Sequence, residues 1–280
     1  MLTANWLAPQ NCSAQEEVDP VRESMIHEQA IVHPTARIGA NVHIGPWTII
    51  GPHVEIGEGT WIGPHVVIQG PTKIGRDNKI FQFSSIGEIP QDKKFRGEET
   101  FLEIGDRNII RESCTFNRGT AQDKSHTKIG DDNLFMAYVH IAHDCIVGNY
   151  TIFANNASLA GHVIVEDYVI LGGFSGVFQS CRVGIHSFAA MGSMIEKDVP
   201  PFVKVSGYYA KPFGLNTVGM KRRGFSIETL VNLRRAYKII YRKGFTVRKA
   251  IEHLQVMVAE CPDVQILIDF IQASERGIVR

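Results

Sequence analysis

From Ile26 onward an apolar side chain returns at every sixth residue: Ile26, Val32, Ile38, Ile44 and onward to Ile86. The register lapses, resumes at Ile104, Ile110 and Phe116, lapses again, and then runs from Ile129 through Ile141 and Leu159 to Ile195, 26 repeats in all. Glycine often follows the apolar residue, and a small or branched residue stands four places on, as in "IGPWTI", "IGDRNI" and "VGNYTI". A helix needs apolar residues every three or four positions and tolerates glycine poorly, so this period predicts short strands joined by tight turns. A period of six marks a hexapeptide parallel β-helix, in which three hexads close one triangular coil of about 18 residues. Residues 18 apart then stack, with the apolar residue and the small residue four places on turned into a continuous core.

This register sorts residues that would otherwise invite other readings. Cys114, Cys145 and Cys181 all fall four after the apolar residue and are expected as core thiols. His53 and His65 fall at outward turn positions. The two lapses, 88–103 with "EIPQDKKFRGEET" and 119–128 with "GTAQDKSHTK", are expected to leave the coil as surface loops, where solenoids often build sites. Pro200 and Pro201 stop the repeat, so the β-helix is assigned to 25–205 and a helical domain to 206–280. In that domain Ser226 reads as an N-cap, Leu230, Leu233, Tyr237 and Ile240 as one apolar face, and Gly244 as a stop. A second helix follows Thr246 and a third runs from about 262 to 276, the set covering one end of the prism. Because Met25 directly precedes the first hexad, residues 1–24 are expected to be a disordered extension.

Composition adds the surroundings. The 29 basic and 29 acidic residues balance, yet the last sixty residues carry about +6 and the rest about −6. Neither a leader nor a run of 18 apolar residues is seen, which fits a soluble cytoplasmic protein without membrane insertion. Five cysteines at irregular spacing suit neither a disulfide framework nor a zinc ribbon. Zero net charge and the lack of a reading motif argue against nucleic acid.

The chemistry concentrates in "HIAHDCIVGN" and "ANNASLAGHV". Counting by 18 puts His143, Gly161 and Gln179 in one column and Asp144 beside it under His162, one outward patch. An imidazole titrates near about pH 6.5 and can accept a proton, a neighbouring carboxylate can hold its tautomer, and a glycine backbone N–H can approach a developing oxyanion. The patch therefore points to acyl transfer by general base. A zinc site shared between subunits and plain solvated turn histidines are the other readings.

These two segments, with "IGEIPQDKKFRGE" and "GLNTVGMKRRGFS" in the same order, resemble the acyl-[acyl-carrier-protein]–UDP-N-acetylglucosamine O-acyltransferase family, from residue 25 to residue 280. The resemblance implies a left-handed parallel β-helix with a C-terminal helical domain, a homotrimer with sites between subunits, no cofactor and no metal. It implies that His143 is the general base on the sugar 3-hydroxyl, Asp144 its orienter and Gly161 N–H the oxyanion donor. His140 and His162 would line the cleft, Gln179 the donor and sugar pocket, and Gln91, Asp92 and Lys94 would contact the nucleotide sugar. Asn216 and Arg223 would lie at the nucleotide end. Met191 matches the position that limits acyl length, which implies a short to medium 3-hydroxyacyl donor. Arg222, Arg234 and Arg235 are expected to meet acidic acyl carrier protein. Phe178, Tyr209 and Val218 depart from the family pattern, which leaves open a related acceptor such as a 3-amino UDP-sugar, or a noncatalytic trimer that binds nucleotide sugar or carrier protein.

Overall fold

A computed structural model describes residues 25–280; the extension expected at 1–24 lies outside them. The hexads fold into strands mostly two residues long, such as Met25–Ile26, Ile31–Val32 and Arg37–Ile38, which fall in turn on three parallel sheets of 11, 9 and 8 strands. We call these sheets A, B and C. Strands this short have no stability alone. They persist because each pairs with the strand one coil away, Ile44 beside Ile62 on sheet A and Ile50 beside Ile68 on sheet B. Their inward side chains form one core that is sealed from solvent, Ile44, Ile62, Ile80, Phe135 and Leu171 among them. Burying each such side chain contributes roughly 1.5–3 kcal/mol.

The other hexad positions have equally local causes. Four places after the apolar residue, Thr60, Asn78, Asn108, Asn133 and Thr151 form a buried column in which each side-chain oxygen accepts the N–H of the member above, at 2.8–3.2 Å. Such pairing removes the penalty for burying polar groups. Cys114, Cys145 and Cys181 occupy the same inward position and are buried, whereas His53 and His65 stand exposed in turns, all as expected. The residue after the apolar one meets the next coil's backbone: a Cβ at Gly57 would lie 2.6 Å from the Gly75 carbonyl carbon. At the third position the backbone turns left-handed even for bulky residues, with φ of 56° at Trp47 and Tyr150 and 59° at Tyr168. Aromatic stacking along the corners offsets part of that strain, as in Trp47 on His65 at 4.8 Å and Tyr168 on His186 at 4.7 Å.

Sheet A does not stop at the prolines. Strand Val203–Ser206 extends it in parallel and Lys211–Leu215 closes it antiparallel, across the junction expected at 205. Four helices follow: α1 (Thr217–Arg222), α2 (Ile227–Arg242), α3 (Val247–Met257) and α4 (Asp263–Gln272). Ser226 and Thr246 cap α2 and α3 through their side chains, as their sequence suggests; α1, capped by Asn216, is an addition to the three helices expected. Tyr237 and Val279 join the prism core, while Leu233, Leu254 and Leu267 form a second core with Phe202.

Candidate active site

Both loops leave the prism at one corner. They follow strands Ser85–Glu88 and Thr115–Asn117 of sheet B, whose next neighbour is His140–Ile141. The Arg118 N–H donates to the Glu88 carbonyl at 3.1 Å and Asn117 Nδ2 to the Ile89 carbonyl at 2.9 Å, tying the loop roots together. That corner also carries His143, two residues past Ile141.

His143 Nδ1 lies 2.9 Å from Asp144 Oδ2. Asp144 is fully buried, which corrects the outward position expected for it: the second loop folds over it. Both its oxygens accept the Thr120 N–H at 3.0 Å, Oδ2 also accepts the Thr120 hydroxyl at 2.6 Å, and the Asp144 N–H donates to Thr127 Oγ1 at 2.8 Å. Burial alone would raise the carboxyl pKa; hydrogen bonds from His143 and Thr120 outweigh it and hold it at about 2. An ionised acceptor at Nδ1 demands a proton there, and neutral His143 then keeps its lone pair on Nε2.

Gly161 rests on that basic edge. A Cβ at Gly161 would lie 2.6 Å from His143 Cε1 and 2.8 Å from Nε2. The equivalent hexad position elsewhere holds Pro46, Pro52 and Pro64, which have no N–H, so the coil uses no donor there. The Gly161 N–H likewise makes no backbone hydrogen bond among the described residues. A free base and a free donor thus meet at one point.

Around them stand two more imidazoles. His162 packs edge-on to His143 at 4.9 Å, its Nδ1 2.6 Å from Asp123 Oδ2. His140 Nδ1 lies 2.7 Å from Thr115 Oγ1, and burial, with His143 nearby, lowers its pKa and keeps it neutral at neutral pH. His140 and exposed Gln179 share an open groove of about 480 Å³ on sheet B with Ser158, Gly176 and Phe178. Phe178, expected from the sequence to depart from the family pattern, lines the same groove as His140.

Other expected residues lie farther along the surface. In the first loop the Lys94 N–H donates to Asp92 Oδ1 at 2.9 Å, while Gln91 and the Lys94 side chain are exposed. Asn216 and Arg223 lie at the opposite edge of sheet C: Asn216 donates to the His186 carbonyl at 3.0 Å, and the Arg223 guanidinium lies 4.4 Å over the Tyr168 ring. No hydrogen bond joins either to His143 among the described residues. Met191 is exposed at the corner between sheets A and B. Arg222, Arg234 and Arg235 are exposed, and Arg235 rims a groove of about 360 Å³ between α2 and α3 with Lys238 and Lys243.

Thr120, Asp123, Lys124 and Thr127 belong to the site, and the hexad pattern does not single them out. Counting by 18 fails across the inserted loop; aligning apolar residues, Phe116 beside Ile141, brings Gly119 level with Asp144 and leaves Thr120 one place on. His143, Asp144 and His162 offer ligand-type atoms within 4.8 Å of one another. Those on Asp144 and on the two Nδ1 atoms are already engaged by Thr120, by Asp123 and by each other, a poor match to a metal's needs.

Among the described residues no helix is long and apolar enough to cross a membrane. Family comparisons match hexapeptide-transferase repeats at 23–58, 53–88 and 126–161, and the second domain of UDP-N-acetylglucosamine O-acyltransferases at 198–279. The chain is 59% identical over 255 residues, 91% of its length and 99% of the relative's, to the acyl-[acyl-carrier-protein]–UDP-N-acetylglucosamine O-acyltransferase of Thiobacillus denitrificans. It is 56% identical to the enzyme of that name from Stutzerimonas stutzeri, over 92% of this chain and 100% of the other. The solved LpxA of Acinetobacter baumannii superposes with a TM-score of 0.90 at 51% identity, covering 91% of this chain and 100% of that one. The coil is the left-handed parallel β-helix expected. Repeats, helical domain and near-full-length identity agree, and the chain belongs to the acyl-[acyl-carrier-protein]–UDP-N-acetylglucosamine O-acyltransferase family.

Proposed function

We propose that the protein transfers a 3-hydroxyacyl group from acyl carrier protein to the 3-hydroxyl of UDP-N-acetylglucosamine, in the cytoplasm, at the step that opens lipid A synthesis. The names of its relatives support the reaction. The observation that carries the mechanism is the His143 ring, held by buried Asp144 at Nδ1 and overlaid at Nε2 by the Gly161 backbone. Nε2 takes the proton of the sugar hydroxyl as its oxygen attacks the thioester carbonyl. The Gly161 N–H meets the oxyanion that forms, and collapse expels the carrier thiolate, which recovers the proton from Nε2. Asp144 stays ionised throughout, stabilising the imidazolium.

Acyl chain and sugar would share the groove of His140, Ser158, Gly176 and Gln179, with the first loop's Gln91, Asp92 and Lys94 toward the nucleotide. Asn216 and Arg223 stand at the next corner, which supports sites completed between neighbours in a homotrimer. Arg222, Arg234 and Arg235, with the groove between α2 and α3, offer a basic surface to the acidic carrier.

Purified wild-type protein and His143→Ala are compared with a 3-hydroxyacyl carrier protein and UDP-N-acetylglucosamine, alongside its 3-amino analogue, reading product mass. The variant should retain the native mass of three chains and lose about 10²-fold to 10⁴-fold in kcat. Equal turnover by the two proteins removes the general base; turnover of the amino sugar alone reassigns the acceptor.

A further inference from the structure

Two imidazoles stand within reach of one buried carboxylate. Asp144 Oδ2 lies 2.9 Å from His143 Nδ1 and 3.9 Å from His162 Nδ1. Left to itself, His162 could turn its Nδ1–H onto Asp144 and draw it from the base. What prevents this is a second carboxylate, brought by the loop that interrupts the hexads: Asp123 Oδ2 stands 2.6 Å from His162 Nδ1.

The loop is held so that this contact is repeatable. Thr120 binds the Asp144 carboxylate on one side of Asp123, and Thr127 accepts the Asp144 N–H on the other. Lys124 Nζ lies 3.4 Å from Asp123 Oδ2 and donates to the Asp144 carbonyl at 3.4 Å. Asp123 is therefore pinned between an ammonium and an imidazole, on a loop whose two ends grip the residue that orients His143.

We infer that Asp123 is a positioning residue: by taking the Nδ1–H of His162 it leaves Asp144 undivided to His143 and sets both rings in the Nδ1–H tautomer. Each imidazole has its own carboxylate, and both Nε2 atoms keep their lone pairs. This inference rests on the reading of His143 as general base, and it assigns the second loop a function that neither the hexads nor the family motifs supply.

The test is a double-mutant cycle in the full-length protein. A hydrogen bond to a charged group is worth enough that Asp123→Ala should lose about 10-fold to 100-fold in kcat, with KM for the sugar nucleotide changed less. Asp123→Glu should recover part of the rate. In a His162→Gln background, where no second imidazole competes, Asp123→Ala should cost less than about 2-fold; losses that multiply would overturn the inference. Nitrogen-15 spectra of the histidines give a reading independent of turnover: wild type should carry protons on Nδ1 of His143 and His162, and Asp123→Ala should perturb both. Unchanged kcat or unperturbed His143 resonances in that variant would also overturn it. If wild type itself turns over no acyl carrier substrate, the proposed function fails, while the spectra still judge the pairing.

Discussion

Gly161 matters for what a side chain there would strike. The backbone at 161 is outside the left-handed region, so alanine adds no backbone strain; its Cβ would instead lie 2.6–2.8 Å from the reactive edge of His143. The ring must tilt away, and a misplacement near 1 Å can cost about 10²-fold in rate. Gly161→Ala should accordingly lower kcat by about 10²-fold, leave KM within a few-fold and keep the wild-type thermal midpoint. Steady-state kinetics with a melting curve check this, and an unchanged kcat would mean that the ring does not work at that edge. The closeness of His143 to Gly161 is legible in the sequence, since residues 18 apart stack. The burial of Asp144 is not. It depends on Thr120, in a loop where the hexad count gives no register, on Thr127 in the strand His126–Ile129 that follows, and on hydrogen bonds that periodicity does not encode.

At the scale of elements, period and corner chemistry explain most of what forms. Strands of two residues are specified only collectively, and the sequence displays that collective rule 26 times. Helix α1 escapes the pattern because "TVGMKR" contains a β-branched pair and a glycine, a weak helical signal; its Asn216 cap and its seat beside the His186 corner are tertiary facts. That corner is a stack, Tyr150, Tyr168, His186 and Phe202, with Phe225 edge-on. Burial in it, with Arg223 adding repulsion, lowers the His186 pKa to about 4. An unfolded imidazole titrates near about 6.5. Between these values the unfolded chain binds a proton that the folded chain refuses, so this corner loses stability as pH falls through that window. His186→Phe keeps a ring in the stack and removes the proton site. Denaturant midpoints taken from pH 7 to pH 4.5 should fall less steeply for the variant; parallel curves would put the acid sensitivity elsewhere.

The whole molecule is unequal around its axis. The outward row of sheet C alternates charge low in the prism, Arg37, Glu55, Lys73 and Glu103, as suits a face in water. The outward row of sheet A carries His43 and Lys79 low in the prism and is apolar above them, with Ile109, Leu134, Ile152 and Phe188, and the corner between sheets A and B exposes Trp47, Phe83, Tyr138, Phe174 and Met191. Exposed apolar side chains on this scale suit an interface, and a threefold axis along that corner would bury them in the proposed homotrimer. Sheet B then runs from the His143 corner to the Met191 corner. Strand His140–Ile141 is separated from Met194–Ile195 by three strand steps, about 14 Å at the usual spacing, with Ser158 and Gly176 presenting little bulk between them. At the far end Met191 closes on the coil below: a Cβ at Gly173 would meet its Cε at 3.5 Å. An acyl chain leaving the thioester at His143 and crossing this face would be stopped by that side chain. Met191→Gly should remove the stop and leave the chemistry intact. Each methylene newly buried is worth up to about 0.8 kcal/mol, so a donor four carbons longer than the preferred one could gain as much as about 10²-fold in kcat/KM. Donors differing only in length, assayed on both proteins, decide the matter: the variant's optimum should move to longer chains, and an unchanged ranking would mean that the acyl chain does not end at Met191.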